Sequence, residues 1–388
     1  MHFLKTALTT TALMACAGSA FALEEGKIVI WTGGGKATAN LQAIADRFTA
    51  DLGVPVLVEE VDPLVDKFQQ AAATGDGPDI VLWAHDRFGE WAAGGLISPV
   101  TPSAEFSAGV LPTALDAVSF GGKVWAYPVA VEAVGLIYNT DLIKTPPASF
   151  DDIAAIELPD GVAPIMWDYN NTYFTMPLLM AGGGFAFQKV DGSYDGKATG
   201  VNNAGAMAGA AKLKMLIDSG IMPPGVDYGV MDGAMNKGEV AMVINGPWAW
   251  GNLKTSGINF AVAAIPAVDG KASPPFLGIY SAGINAASPN ADLAVELLEN
   301  YVLNDEGLAA WNANSDLGAL ADISAAAAQN DANVAATLAN AAIGIPMPSN
   351  PEMGAFWSAM EPALRNITTG AQPVDAALND AAKRILGE

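Results

Sequence analysis

The sequence predicts an α/β protein of two domains, on three observations. Its 388 residues suit two domains better than one. From Lys27 onward, short apolar runs rich in β-branched residues alternate with stretches of helical periodicity. The resulting β-α-β-α-β order implies a parallel sheet covered on both faces by helices.

Lys27 to Trp31 is the first strand, and Ala39 to Leu52 carries the first helical pattern. Val56 to Glu60 is the second strand, with Pro55 just ahead of it, where a missing N–H does least harm. Pro63 to Ala73 reads as a helix. Gly75, Gly77 and Pro78 then turn the chain into the third strand, Asp79 to Trp83. Lys123 to Val129 and Gly135 to Tyr138 read as strands joined around Ala130-Val-Glu132-Ala. Pro146 to Pro159 is a connector with a short helix, and Pro164 to Trp167 is a strand that ends in Asp168 to Phe174. Asn203 to Ser219 is helical, with Gly220 as its stop. Val240 to Asn245 is a strand that runs directly into Gly246-Pro-Trp248-Ala-Trp250. Phe260 to Ile265 and Gly278 to Ile284 are strands, and Ala291 to Val302 is a helix. From Leu317 the chain is alanine-rich and helical, interrupted by Pro346 to Pro351, and Ala355-Phe-Trp357 opens a last helical stretch. No repeat of fixed short period is present.

Composition excludes several function classes. Hydrophobic residues make up 51% of the chain, too many for a disordered protein. The formal net charge of -23 repels nucleic acid and anionic membrane surfaces. Residues 1–22 read as a cleaved signal peptide: His2 and Lys5 form a weak n-region, an apolar stretch follows, and Ala20-Phe21-Ala22 is an A-x-A site that would leave Leu23 first. A rival reading makes Leu13-Met-Ala-Cys16 a lipoprotein site with Cys16 acylated. No other segment approaches the ~18 apolar residues of a membrane span. Cys16 is the one cysteine, and His85 is the one histidine outside the signal. Triad hydrolysis, a His/Cys zinc site and an intrachain disulfide are therefore not expected, whereas chemistry by carboxylates alone stays open.

Candidate site residues gather after the strands, where open α/β sheets bind their ligands. Trp83 is followed by His85, Asp86 and Arg87: an aromatic face beside an acceptor and a donor suits a polyhydroxylated ligand. Trp248 stands in the same position after Val240 to Asn245, and Tyr173, Phe174 and Trp357 follow turns. Singly, Tyr173, Phe174, Trp248 and Trp357 read more readily as core than as ligand contacts, but their joint position after strands and turns, with Trp83, reads as a stacking platform for sugar rings. Glu132, flanked by apolar residues, either faces a wet cleft or has a partner; the cleft is the expectation. Thr32-Gly-Gly-Gly-Lys36 invites a phosphate-loop reading that fails, because the leading glycine would fall at Ile30 and Ala37 replaces the magnesium-holding Ser/Thr. Lys36 is read instead as a ligand donor or a solvated lysine.

EEGKIVIW (24–31), AATGDGPDIVLWAHDRF (72–88), AYPVAVEAVGLIYN (126–139), INGPWAW (244–250), SAGINAASPN (281–290) and LENYVLNDEGL (298–308) carry a resemblance. By them the chain resembles the periplasmic maltose/maltodextrin-binding proteins of bacterial ABC importers, from about Glu24 to Ile385. The resemblance implies a two-lobed periplasmic solute-binding fold, each lobe a sheet flanked by helices, with the ligand cleft at the hinge. The first lobe would span 23–130 and 282–328, and the second 135–277 and 329–388. It implies no catalysis, cofactor or metal, export to the periplasm, a monomer, and partners in maltose or maltodextrin and the permease membrane subunits, with a chemoreceptor left open. The sugar contacts it implies are Lys36, Trp83, Ala84, Asp86, Arg87, Glu132, Tyr173, Phe174, Tyr228, Trp248, Met347 and Trp357.

The chain departs from that pattern at the polar rim. Gly33 stands where the family has Asn, Gly35 where it has Asp, Asn171 where it has Glu, and Glu361 where it has Arg. Lys36 keeps its donor beside a lost acceptor, so Gly35→Asp is expected to tighten maltose binding unless Gly35 needs a positive φ. Asn171 is expected to accept more weakly than a carboxylate. The alternatives are another disaccharide such as trehalose, or a glycoside hydrolase using Asp86 and Glu132.

Overall fold

The computed structural model describes residues 23–190 and 193–388. Residues 1–22, read above as a signal peptide, and Cys16 among them, lie outside the described residues.

Ile28–Thr32 pairs in parallel with Val56–Glu60 on one side and Ile80–Ala84 on the other. The sheet they begin is eight-stranded and mixed, which corrects the parallel sheet expected from the local strand–helix alternation. Phe276–Asn285, a ten-residue strand from late in the chain, inserts antiparallel between Ile80–Ala84 and Tyr127–Ala133. Ala319–Leu320 closes the far edge beyond Tyr127–Ala133. Alternation along the first strand loads both faces. Ile28 and Ile30 join a core with Leu41, Ile44 and Phe48 of the helix Thr38–Leu52, while Val29 and Trp31 face Leu64 and Phe68 of the helix Leu64–Ala72.

The second sheet is four-stranded, in the order Phe260–Ala263, Gly135–Asn139, Val240–Asn245, Ala163–Met166. Its core takes side chains from the helices Thr172–Ala181, Ala204–Asp218, Met353–Thr368 and Val374–Leu386. The chain passes between the sheets at Val134, and again between Ala263 and Phe276. Other local expectations shift. Lys123–Val124 is half of a small hairpin with Ser119–Phe120, and Tyr127–Ala133 is one continuous buried strand. Ala319–Leu320 interrupts the stretch read as helical from Leu317. No helix among the described residues is long and apolar enough to cross a membrane.

Candidate functional site

The strand Ile80–Ala84 ends in Trp83 and Ala84, and the tight turn His85–Arg87 follows at its C-terminal end. Asp86 is buried, and Trp357 Nε1 donates to its Oδ2 at 2.9 Å. Arg87 Nε stands 3.8 Å from the same oxygen, and its terminal nitrogen donates to Glu90 at 3.1 Å. Burial pushes the Asp86 carboxyl up to about 6 against the pull of Arg87 and the Trp357 hydrogen bond. His85 makes no claim on a ligand. Its Nδ1 accepts from Ile279 N–H at 2.9 Å, which leaves Nε2 protonated to donate to the Met347 carbonyl at 2.9 Å. Burial lowers it to about 4, so the ring stays neutral. It pins the Met347 segment beside the turn.

Lys36 lies in the turn between the strand Ile28–Thr32 and the helix Thr38–Leu52, and its carbonyl accepts from Trp311 Nε1 at 2.7 Å. Its ammonium pairs with Glu132 and lies 4.5 Å from the Tyr280 ring centroid and 5.0 Å from that of Trp248. This overturns the expectation of a lone Glu132 facing a wet cleft. Glu132 sits within a strand, is buried and is paired, as an ionised group there must be. The pair still has capacity: an ammonium carries three donors and a carboxylate about four acceptor sites, so one mutual contact leaves both able to bind hydroxyls.

From the second sheet comes an aromatic group. Tyr173 and Phe174 open the helix Thr172–Ala181, Tyr228 opens the helix Tyr228–Asn236, and Trp248 follows the strand Val240–Asn245. Ring centroids lie 5.6 Å apart for Tyr173–Phe174, 6.1 Å for Tyr173–Trp248, 6.3 Å for Phe174–Trp248 and 6.0 Å for Phe174–Tyr228. Burial, then the charges of Glu132 and Asp86, raise the Tyr173 hydroxyl well above its ordinary value. Trp248 brings the aromatic group to 5.0 Å from the Lys36 ammonium, which is paired with Glu132 of the other sheet. Burial likewise pushes Tyr228 up to about 12. Trp357 packs edge-on against Phe356 and Phe276, with its N–H turned to Asp86. Met347 is buried, and its methyl lies where a Cβ on Gly278 would come within 3.1 Å. Trp83 lies over Gly33, where a Cβ would meet the ring at 3.0 Å.

The altered rim is occupied by other work. Gly35 has φ 72°, and a Cβ there would come 2.4 Å from the Trp248 carbonyl oxygen. The glycine is required by this approach, so the expected gain from Gly35→Asp does not follow. Asn171 caps the helix Thr172–Ala181 by accepting from Tyr173 N–H at 3.2 Å. One of the two acceptor sites of its side-chain oxygen is thereby taken by the helix. Glu361 pairs with Arg365 one turn along its own helix. Sequence reasoning missed Tyr280 and Thr32, whose hydroxyls stand 2.5 Å apart beneath Lys36. Tyr280 sits in an apolar strand, and only the insertion of that strand beside Ile80–Ala84 brings it to the site.

The description of a bacterial extracellular solute-binding protein matches this chain over residues 33–309. The chain belongs to that family. Its members bind solutes and do not turn them over, and its two-lobed α/β fold is the one described above. A galactooligosaccharide-binding protein of Bacillus subtilis is 25% identical over all of this chain and 96% of its own length. A maltotriose-binding protein of Pyrococcus abyssi is 26% identical over 90% of this chain and 79% of its own. A maltooligosaccharide ABC transporter solute-binding lipoprotein of Streptococcus pneumoniae is 26% identical over 88% and 84%.

Proposed function

We propose that this protein captures maltose and longer α-glucans between its two sheets and delivers them to the membrane subunits of an ABC permease. The observation that carries the reading is the connected group of rings Tyr173, Phe174, Tyr228 and Trp248, of which Trp248 lies 5.0 Å from the Lys36 ammonium paired with Glu132. Rings stack on the apolar faces of successive glucose units, while the charged groups take up hydroxyls. The full contact set is Lys36, Trp83, Ala84, Asp86, Arg87, Glu132, Tyr173, Phe174, Tyr228, Trp248, Met347 and Trp357. Lobes spanning 23–130 with 282–328, and 135–277 with 329–388, close over the sugar as a ligand-selected hinge motion. The protein acts as a monomer in the periplasm.

A second sugar class has a specific observation in its favour: the galactooligosaccharide-binding relative aligns over the whole chain. Calorimetric titration with maltose, maltotriose, trehalose and a β-galactooligosaccharide separates the readings. Heat with maltotriose stronger than with the others supports α-glucan capture. Binding confined to the galactosides moves the assignment to that class, and binding of none of them removes the sugar reading.

A further inference from the structure

Phe276–Asn285 enters the larger sheet between Ile80–Ala84 and Tyr127–Ala133, and its register decides which side chains share a face. Tyr280 stands opposite Ala84 on one side and Ala130 on the other, and Gly278 stands opposite Glu132. Residues two apart in a strand share a face, so the Tyr280 ring and the Glu132 carboxylate project to the same side of the sheet. The two flanking alanines leave the ring room. Both groups are buried.

Lys36 meets them there. Its ammonium pairs with Glu132 and lies 4.5 Å from the Tyr280 ring centroid. The Tyr280 hydroxyl stands 2.5 Å from Thr32 Oγ1, which donates to the Gly33 carbonyl at 3.2 Å. Donation from Tyr280 to Thr32 and from Thr32 to Gly33 gives each proton an acceptor. The ring also packs against Trp311, with centroids 6.4 Å apart, and Trp311 Nε1 donates to the Lys36 carbonyl. Tyr280 thus touches the lysine at its ammonium and reaches both ends of its turn, Gly33 through Thr32 and Lys36 through Trp311. A lysine held in a buried site gives up rotamer freedom and hydration. A ring face offsets part of that cost by attracting the cation to one place.

We infer that Tyr280 is a positioning residue of the binding site: its ring holds the Lys36 ammonium beside Glu132, and its hydroxyl, through Thr32, holds the turn from which Lys36 springs. This deepens the reading above and rests on it for the identity of the solute.

The first arm of the test needs no ligand. NMR of the protein with isotope-labelled lysine side chains reports Lys36, whose signal is identified by its absence in Lys36→Gln. A ring beneath the Cε protons displaces them from those of other lysines. The displacement should shrink in Tyr280→Leu and in Tyr280→Met, a second ring-free variant, and persist in Tyr280→Phe. The Trp248 ring, 5.0 Å from the ammonium, supplies the remainder. The second arm is calorimetric titration with maltotriose. Loss of the Tyr280 ring should weaken binding about three- to tenfold, the scale of a cation–π contact, and Tyr280→Phe should restore it. In the Lys36→Gln background, which keeps a donor for Glu132, the same loss should cost no more than about twofold. Thermal unfolding shows that each variant is folded. An unmoved Lys36 signal in the ring-free variants, or an equal loss of affinity with and without Lys36, overturns the inference and leaves Tyr280 a core residue. A moved signal without maltotriose binding leaves the inference standing and removes the sugar reading. Maltotriose binding with an unmoved signal does the reverse.

Discussion

Asp86 is poised where its charge changes in an accessible pH range. Its carboxyl titrates at about 6, raised first by burial. At pH 7 it is about nine-tenths ionised and at pH 5 about one-tenth, as a group of that pKa must be. A raised folded-state value stabilises the fold below the unfolded pKa, and this contribution is lost as pH climbs through 6. Binding runs the other way, because the ionised form is the stronger acceptor of sugar hydroxyls. Maltotriose affinity should therefore rise between pH 5 and pH 7 in calorimetry, and Asp86→Asn should flatten the profile. His85, at about 4, stays neutral throughout and does not produce this step. A profile that keeps its slope in Asp86→Asn assigns the titration elsewhere. At Gly35, the positive φ and the Trp248 carbonyl 2.4 Å from a Cβ reverse the expectation drawn from composition of the rim. Gly35→Asp should weaken maltose binding by at least about 1 kcal/mol, the scale of strain at such positions. Tightening in the same titration would show that the loop yields. Trp248→Ala should cost roughly 1–3 kcal/mol of binding, as buried aromatic anchors do.

At the scale of elements, legibility followed periodicity. The helix Thr38–Leu52 shows a one-sided pattern with Leu41, Ile44 and Phe48 inward, and it could be read directly. The helix Thr172–Ala181 could not: it is buried nearly all round, contains Pro177 and has no polar face to set a period. Its capping residue was visible only as a departure from a family pattern. Asn171→Ala should lower unfolding free energy by about 1 kcal/mol, and should also weaken maltotriose binding, since Tyr173 and Phe174 occupy the first turn. Chemical denaturation and calorimetry on one preparation measure both. Loss of stability with affinity intact would detach that turn from the site. Strand pairing was equally hidden. Phe276–Asn285 joins strands contributed some 150 to 200 residues earlier, so neither the mixed sheet nor Tyr280 beneath Lys36 can be inferred from neighbours in sequence. The Lys36–Glu132 pair spans 96 residues and was lost for the same reason. What local sequence did reveal was residue type at strand ends: Trp83 closes one strand and Trp248 follows another.

Taken whole, the molecule is two α/β bodies whose facing edges carry complementary groups. The larger sheet brings Lys36, Asp86 and Glu132 with the ring of Trp83, and the smaller brings the rings of Tyr173, Phe174, Tyr228 and Trp248. The charged groups lie on one body and most of the rings on the other. A polyhydroxylated ligand touching both would gain its full contact set only when the bodies meet, and this differential contact is what allows a ligand to shift a conformational equilibrium. Saturating maltotriose should therefore reduce the radius of gyration in solution scattering and change tryptophan emission, because Trp83, Trp248 and Trp357 belong to the proposed contact surface. Calorimetric binding accompanied by an unchanged scattering profile in the unsubstituted chain would mean that the bodies are fixed, with affinity set by contacts alone.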